Sequence, residues 1–159
     1  MFTRRYDEAI AQYQKALDLN PNVPALHAEL GWAYAMKRMY PRALAEYEKT
    51  AKQNKIVAAE NQFVAGGLGW VYAVSGRRAD ALRITQEFKD LSSRTYVDFY
   101  MIAVIYAGLG DKDEAFRWLE KGYKERSGGM VYLGVDVMLY GMHSDPRYAD
   151  LLRRIGLPQ

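Results

Sequence analysis

The sequence predicts an all-α fold made of repeated antiparallel helix pairs, an α-solenoid, and three observations point there. The stretch Leu68–Leu82, LGWVYAVSGRRADAL, recurs upstream as Leu30–Leu44, LGWAYAMKRMYPRAL, and more loosely downstream as Ile102–Phe116, IAVIYAGLGDKDEAF. The spacing is regular: Tyr72 to Tyr106 is 34 residues, and Ala81 to Ala115 is 34 again. A period of that length means stacked units that bury their apolar faces against one another. Finally, 50% hydrophobic and 13% aromatic residues in a chain of 159 argue for packed structure and against disorder.

The Leu-Gly-x-x-Tyr block followed by Ala-x-x-x-aromatic at this period resembles the tetratricopeptide repeat (TPR), over about residues 6–126. The resemblance implies a single domain of helix pairs that starts in mid-repeat and is closed by a short C-terminal capping helix. Residues 6–21 form the half repeat: Ala9, Tyr13, Ala16 and Pro21 stand where a TPR second helix carries its small residue, aromatic, small residue and closing proline. The repeat at 22–54 opens with Asn22 as cap and Pro24 in the first turn, where a missing N–H costs nothing. Its helices are expected from Pro24 to Lys37 and from Pro41 to Gln53, with Ala43, Tyr47 and Thr50 in the small, aromatic and small places.

Gly31 to Gly69 spans 38 residues. The four extra residues are close to one helical turn, so the repeat at 55–93 is expected to have a lengthened first helix from near Lys55 or Ile56. Gly66, Gly67 and Gly69 weaken that helix by about 1 kcal/mol each relative to Ala, and close approach of another helix is the expected compensation. Its second helix should run from Arg78 to Leu91, with Ala81, Thr85 and Phe88 in the core places. The repeat at 94–127 should have helices from Thr95 to Leu109 and from Lys112 to Arg126, broken by Gly110 and capped by Asp111. Ala115, Leu119 and Gly122 take its core places.

Residues 128–159 depart from the period. Met130–His143 is apolar without helical spacing, whereas Ser144-Asp145-Pro146 is a strong helix start and Gly156 a stop. The ending SDPRYADLLRRIGLP is similar to the C-terminal end of TPR regions in bacterial multidomain signalling and regulatory proteins. That likeness implies that any effector function lies in upstream sequence.

The first helices carry two opposite apolar faces. With Leu68 at 0° and 100° per residue, Tyr72 falls at roughly 40°, while Trp70, Phe63 and Val74 fall at roughly 200–240°. The same arithmetic sets Trp32 and Met36 opposite Leu30 and Tyr34, and sets Val104 opposite Ile102 and Tyr106 with Tyr100 adjacent. In the TPR family this second face lines the concave side and meets ligands. The resemblance therefore implies an apolar, aromatic groove of Trp32, Met36, Phe63, Trp70, Val74, Tyr100 and Val104, suited to a hydrophobic peptide or an amphipathic helix. A charged peptide terminus is not expected, because Trp32, Trp70 and Val104 stand where carboxylate-holding TPRs use Asn. The same face has a second reading, in which it packs on neighbouring first helices or lies beneath Met130–Met142. Trp118, on a second helix, is expected in packing or on the convex surface.

A different function class remains open at the N-terminus. Tyr6, Ile10, Tyr13 and Leu17 line the half repeat, where a second copy of the chain or a missing effector domain would cover them. No membrane or nucleic-acid partner is expected. Formal net charge is only +3, basic residues are scattered in pairs, and the longest apolar run, Phe99–Leu109, is too short to span a bilayer. With no cysteine, disulfides and thiolate metal sites are excluded, which fits a cytoplasmic protein. No cofactor motif is present. His27 and His143 lack a nucleophile or carboxylate at motif spacing, and consecutive His143-Ser144-Asp145 cannot adopt triad geometry. Gly66-Gly67-Leu68-Gly69 lacks the Gly-Lys-Ser/Thr ending of a phosphate loop. No enzymatic activity is expected.

Overall fold

The computed structural model describes residues 2–54 and 61–156, with side chains from Arg5 onward and, in the third helix, as far as Thr50. The chain divides into two compact units, Met1–Val64 and Ala65–Gln159. Both are built of helices and turns, and the fold is the all-α helical-repeat type that the period predicts.

The first unit holds α1 (Phe2–Leu19), α2 (Pro24–Met36) and α3 (Tyr40–Asn54). The α1 sequence puts Tyr6, Ala9, Ile10, Tyr13, Ala16 and Leu17 on one stripe, and these are its half-buried residues. That stripe packs on α2, with Gln14 Nε2 donating to the Tyr34 hydroxyl at 2.9 Å. Helices α2 and α3 run antiparallel. The Thr50 hydroxyl donates to Pro24 O at 3.3 Å, His27 meets Glu46, and Gly31 lies against the Tyr47 ring so closely that a Cβ would stand 3.1 Å from it. Leu30, Ala33, Tyr34, Ala43 and Tyr47 form the core of this pair; each large side chain contributes about 1.5–3 kcal/mol by leaving water.

The second unit holds α4 (Gln62–Val74, within the unit from Ala65), α5 (Arg78–Leu91), α6 (Phe99–Gly108), α7 (Lys112–Lys124), two 3-10 turns at Gly128–Tyr132 and Val137–Met142, and α8 (Pro146–Ile155). Its centre is α6, in which every residue from Phe99 to Tyr106 is buried. A helix apolar all round must be covered all round. One side of α6 meets α7, another meets α5, and both 3-10 turns pack on it. The side toward α4 is set by glycines. A Cβ on Gly66 would stand 2.6 Å from Met101 Sδ, one on Gly69 2.5 Å from Ile105 Cδ1, and one on Gly108 2.8 Å from Trp70 Cδ1. The close approach expected of Gly66 and Gly69 is thus to α6, lying parallel to α4.

The break inside each pair has one geometry. The N–H groups of Met39, Arg77 and Asp111 donate to the carbonyls of Tyr34, Tyr72 and Tyr106 at 2.9, 2.8 and 3.0 Å. This six-to-one closure needs a left-handed residue just before the donor. Arg38, Gly76 and Gly110 supply it, at φ 58°, 82° and 76°.

Helix α8 stands beside α7 at the repeat's own offset. Arg147 pairs with Asp113 at 2.8 Å and Arg154 with Glu120 at 2.6 Å, both 34 residues apart. The capping helix therefore occupies the place of one more second helix, with the 3-10 turns where a first helix would be.

Several boundaries differ from expectation. Val23, not Asn22, is the N-cap of α2 and makes no side-chain cap; the Asn22 N–H donates to the Asn20 side chain at 3.3 Å. Helix α6 starts at Phe99, not Thr95, because the Asp98 carboxylate accepts from Tyr100 N–H at 3.2 Å and fixes the cap there. Helix α7 ends at Lys124, and Arg126 turns left-handed at φ 55°. The lengthened first helix is not found: α4 starts at Gln62, where the Asn61 side chain accepts from Val64 N–H at 3.1 Å, and at 13 residues it matches α2; residues 55–60 lie outside the described residues.

Candidate functional site

In the first unit, Trp32 and Met36 are half-buried on α2, and Phe63, at the start of α4, is 56% exposed. Tyr6, Ile10, Tyr13 and Leu17 on α1 are half-buried. The equivalent places on α3 and α7 are covered: Ala43, Tyr47 and Thr50, and Ala115, Leu119 and Gly122, are all buried, whereas Ala9, Tyr13 and Ala16 on α1 are not.

In the second unit, Val74 is half-buried, Trp70 is 9% exposed, and Tyr100 and Val104 have no exposed surface. Trp70 lies against Gly108 of α6. Its indole Nε1 is buried and finds no acceptor among the described residues, which costs about 1–3 kcal/mol. Here the second apolar face is the packing face, as the alternative sequence reading had it, and these three residues reach a partner only if something covering them moves.

What covers Tyr100 is the apolar tail. The Tyr100 hydroxyl donates to Asp136 Oδ2 at 2.6 Å, and a Cβ on Gly129 would stand 2.6 Å from the Tyr100 ring. Gly129 N–H donates to Asp98 Oδ2 at 2.7 Å, Phe99 N–H donates to the Ser127 hydroxyl at 3.1 Å, and the Tyr148 hydroxyl donates to Leu133 O. Burial pushes the Asp98 and Asp136 carboxyls up despite these donors. Burial first, and then Asp136, hold the Tyr100 phenol far above its ordinary range. Asp98 and Asp136 were legible only as cap residues ahead of apolar runs; their convergence on Tyr100 was not.

Trp118 is in packing. Its ring lies 5.7 Å from Phe99, between Lys89 at 5.3 Å and Lys121 at 5.4 Å.

Both histidines have neighbours within the fold. His27 is buried, with Nδ1 2.6 Å from Glu46 Oε2 and Nε2 2.8 Å from Pro21 O. It pins the α1–α2 connection to α3. His143 stacks between Tyr140 and Tyr148 at 5.3 and 4.6 Å, and Asp145 caps α8 through Arg147 N–H at 3.0 Å. A surface hollow lined by Arg78, Lys112 and Arg147 also contains Asp111 and Asp113, so its charges offset one another. Among the described residues no three His, Asp or Glu side chains converge as a metal site requires, and no helix is long and apolar enough to cross a membrane.

Two family models match the sequence: a TPR repeat model over residues 5–37 and a tetratricopeptide repeat model over residues 99–127. The first covers α1 and α2, the second α6 and α7. The chain carries tetratricopeptide repeats. No curated protein matches it. TPRs generally mediate protein–protein interaction, and that coarse function follows for this chain.

Proposed function

We propose that this TPR chain is a non-enzymatic interaction module that takes a hydrophobic peptide or an amphipathic helix on the second apolar faces of its first helices. The observation that carries the reading is α2: it is buried toward α1 and α3, yet keeps Trp32 and Met36 partly open on the opposite side. Large aromatics that a folded chain leaves at its surface are the side chains that anchor bound segments. Trp70, Tyr100 and Val104, in the second unit, are buried. By the likeness of its ending, the module belongs to a bacterial cytoplasmic regulator.

The test is selection of displayed peptides on the immobilised chain, followed by binding to Trp32→Ala. Segments with apolar residues at helical spacing, bound about tenfold more weakly by a folded Trp32→Ala variant, support the reading. Binding indifferent to Trp32 and Phe63 counts against it.

A second reading has its own observation, the half-covered stripe on α1. Association of two copies through Tyr6, Ile10, Tyr13 and Leu17 would complete its burial. Light scattering over a concentration series tests it: a dimer that Ile10→Glu dissociates supports self-association, and a monomer at all concentrations removes it.

A further inference from the structure

We propose that the face of α6 around Tyr100 is an exchangeable segment-binding surface, occupied in cis by Gly129–Met142 and open in trans to a short segment of the same chemistry. That chemistry is readable from the present occupant: a carboxylate that accepts from the Tyr100 hydroxyl, as Asp136 does, followed by apolar side chains buried as Met138, Leu139 and Met142 are.

Three features distinguish this occupant from the helices around it. It is held in two short 3-10 turns, whose hydrogen bonding is poorer than that of an α-helix. Its outer side is scarcely covered, with Val131, Tyr132, Val135, Val137 and Tyr140 each at least 47% exposed. Its anchor is polar, and docking takes the carboxylates of Asp98 and Asp136 out of water, which offsets part of the gain from the apolar contacts. Segments with irregular hydrogen bonding and an uncovered outer side open at lower free energy than the regular helices beneath them. Opening here would bare Tyr100, a side chain in the face proposed above to meet partners. The inference deepens that proposal and rests on it.

Hydrogen exchange of the intact chain is the first test and needs no partner, so its failure would leave the Trp32 site standing. Amides of residues 130–142 should exchange at least about tenfold faster than those of α6 and α7, through an opening insensitive to low denaturant. Exchange of all three only by common unfolding would overturn the proposal. The second test uses Gly129→Ala, whose methyl group meets the Tyr100 ring, and a labelled peptide of residues 129–143 as the probe. The folded variant should bind that peptide at least about tenfold more tightly than the unaltered chain, and an Asp136→Asn peptide about tenfold more weakly. A folded Gly129→Ala chain that ignores the peptide would also overturn it; should the variant not fold, the exchange experiment decides alone.

Discussion

Arg38→Gly should stabilise the protein. Arg38, Gly76 and Gly110 hold the same place in successive helix pairs, and all three are left-handed. At Gly76 and Gly110 an added Cβ would meet nothing within 4 Å, so the preference for glycine there is a matter of backbone conformation and not of space. A side chain in this region costs about 1–2 kcal/mol. Glycine returns about 0.5–1 kcal/mol of that through the larger entropy of its unfolded chain. The net gain expected for Arg38→Gly is therefore about 0.5–1 kcal/mol, and Gly110→Ala should lose a similar amount. Urea denaturation followed by circular dichroism at 222 nm reads both. A midpoint for Arg38→Gly at or below that of the parent, with Gly110→Ala neutral, would refute the claim that the three breaks share one conformational requirement.

Gly69→Ala gains about 1 kcal/mol in helix propensity but drives a methyl group into Ile105 and Ile84; overpacking of about 1–3 kcal/mol should win, and a denaturation midpoint unchanged or raised would show that α4 and α6 can part cheaply. His27→Ala removes both ring nitrogens that meet Glu46 Oε2 and Pro21 O and should cost about 2–3 kcal/mol, with His27→Gln recovering part of the loss in the same urea experiment. Burial raises the Asp136 carboxyl, so its contribution to stability is fully present below the unfolded value near 4 and is lost as pH rises through the higher folded value. Asp136→Asn does not titrate, so its melting temperature relative to the parent should climb as pH rises above about 4; a difference that stays constant would place Asp136 in contact with solvent.

The helices were legible because each repeat writes them twice, once in apolar spacing and once in punctuation. Arg78–Leu91 was readable to the residue for that reason, and Pro24 and Asp111 marked true starts. Thr95 was misleading because apolar spacing runs back past Asp98, while the cap is decided by which side chain reaches a free N–H. The tail was illegible because its two 3-10 turns, 5 and 6 residues long, are too short for a three-residue period to show as a hydrophobic stripe. One long-range feature could have been read: Asp113 with Arg147 and Glu120 with Arg154 are opposite charges at the repeat's own 34-residue offset.

The candidate site shows where periodicity stops informing. Angles around a helix say which residues share a face, and they set Trp70 and Val104 opposite Leu68 and Ile102. They do not say what stands on that face. For Trp70 part of the answer is Gly108, a residue with no side chain, which lets an indole lie flush against the neighbouring helix. For Tyr100 it is the irregular segment around Gly129 and Asp136, which supplies both the absent side chain and the carboxylate acceptor. In both cases the bulky residue is recorded in the repeat, while the glycine that accommodates it lies in the next repeat or beyond the periodic region. A face of large aromatics thus becomes core or surface according to glycines elsewhere, and Trp32, partly open on α2, is where a partner's contribution is measured with least interference from folding.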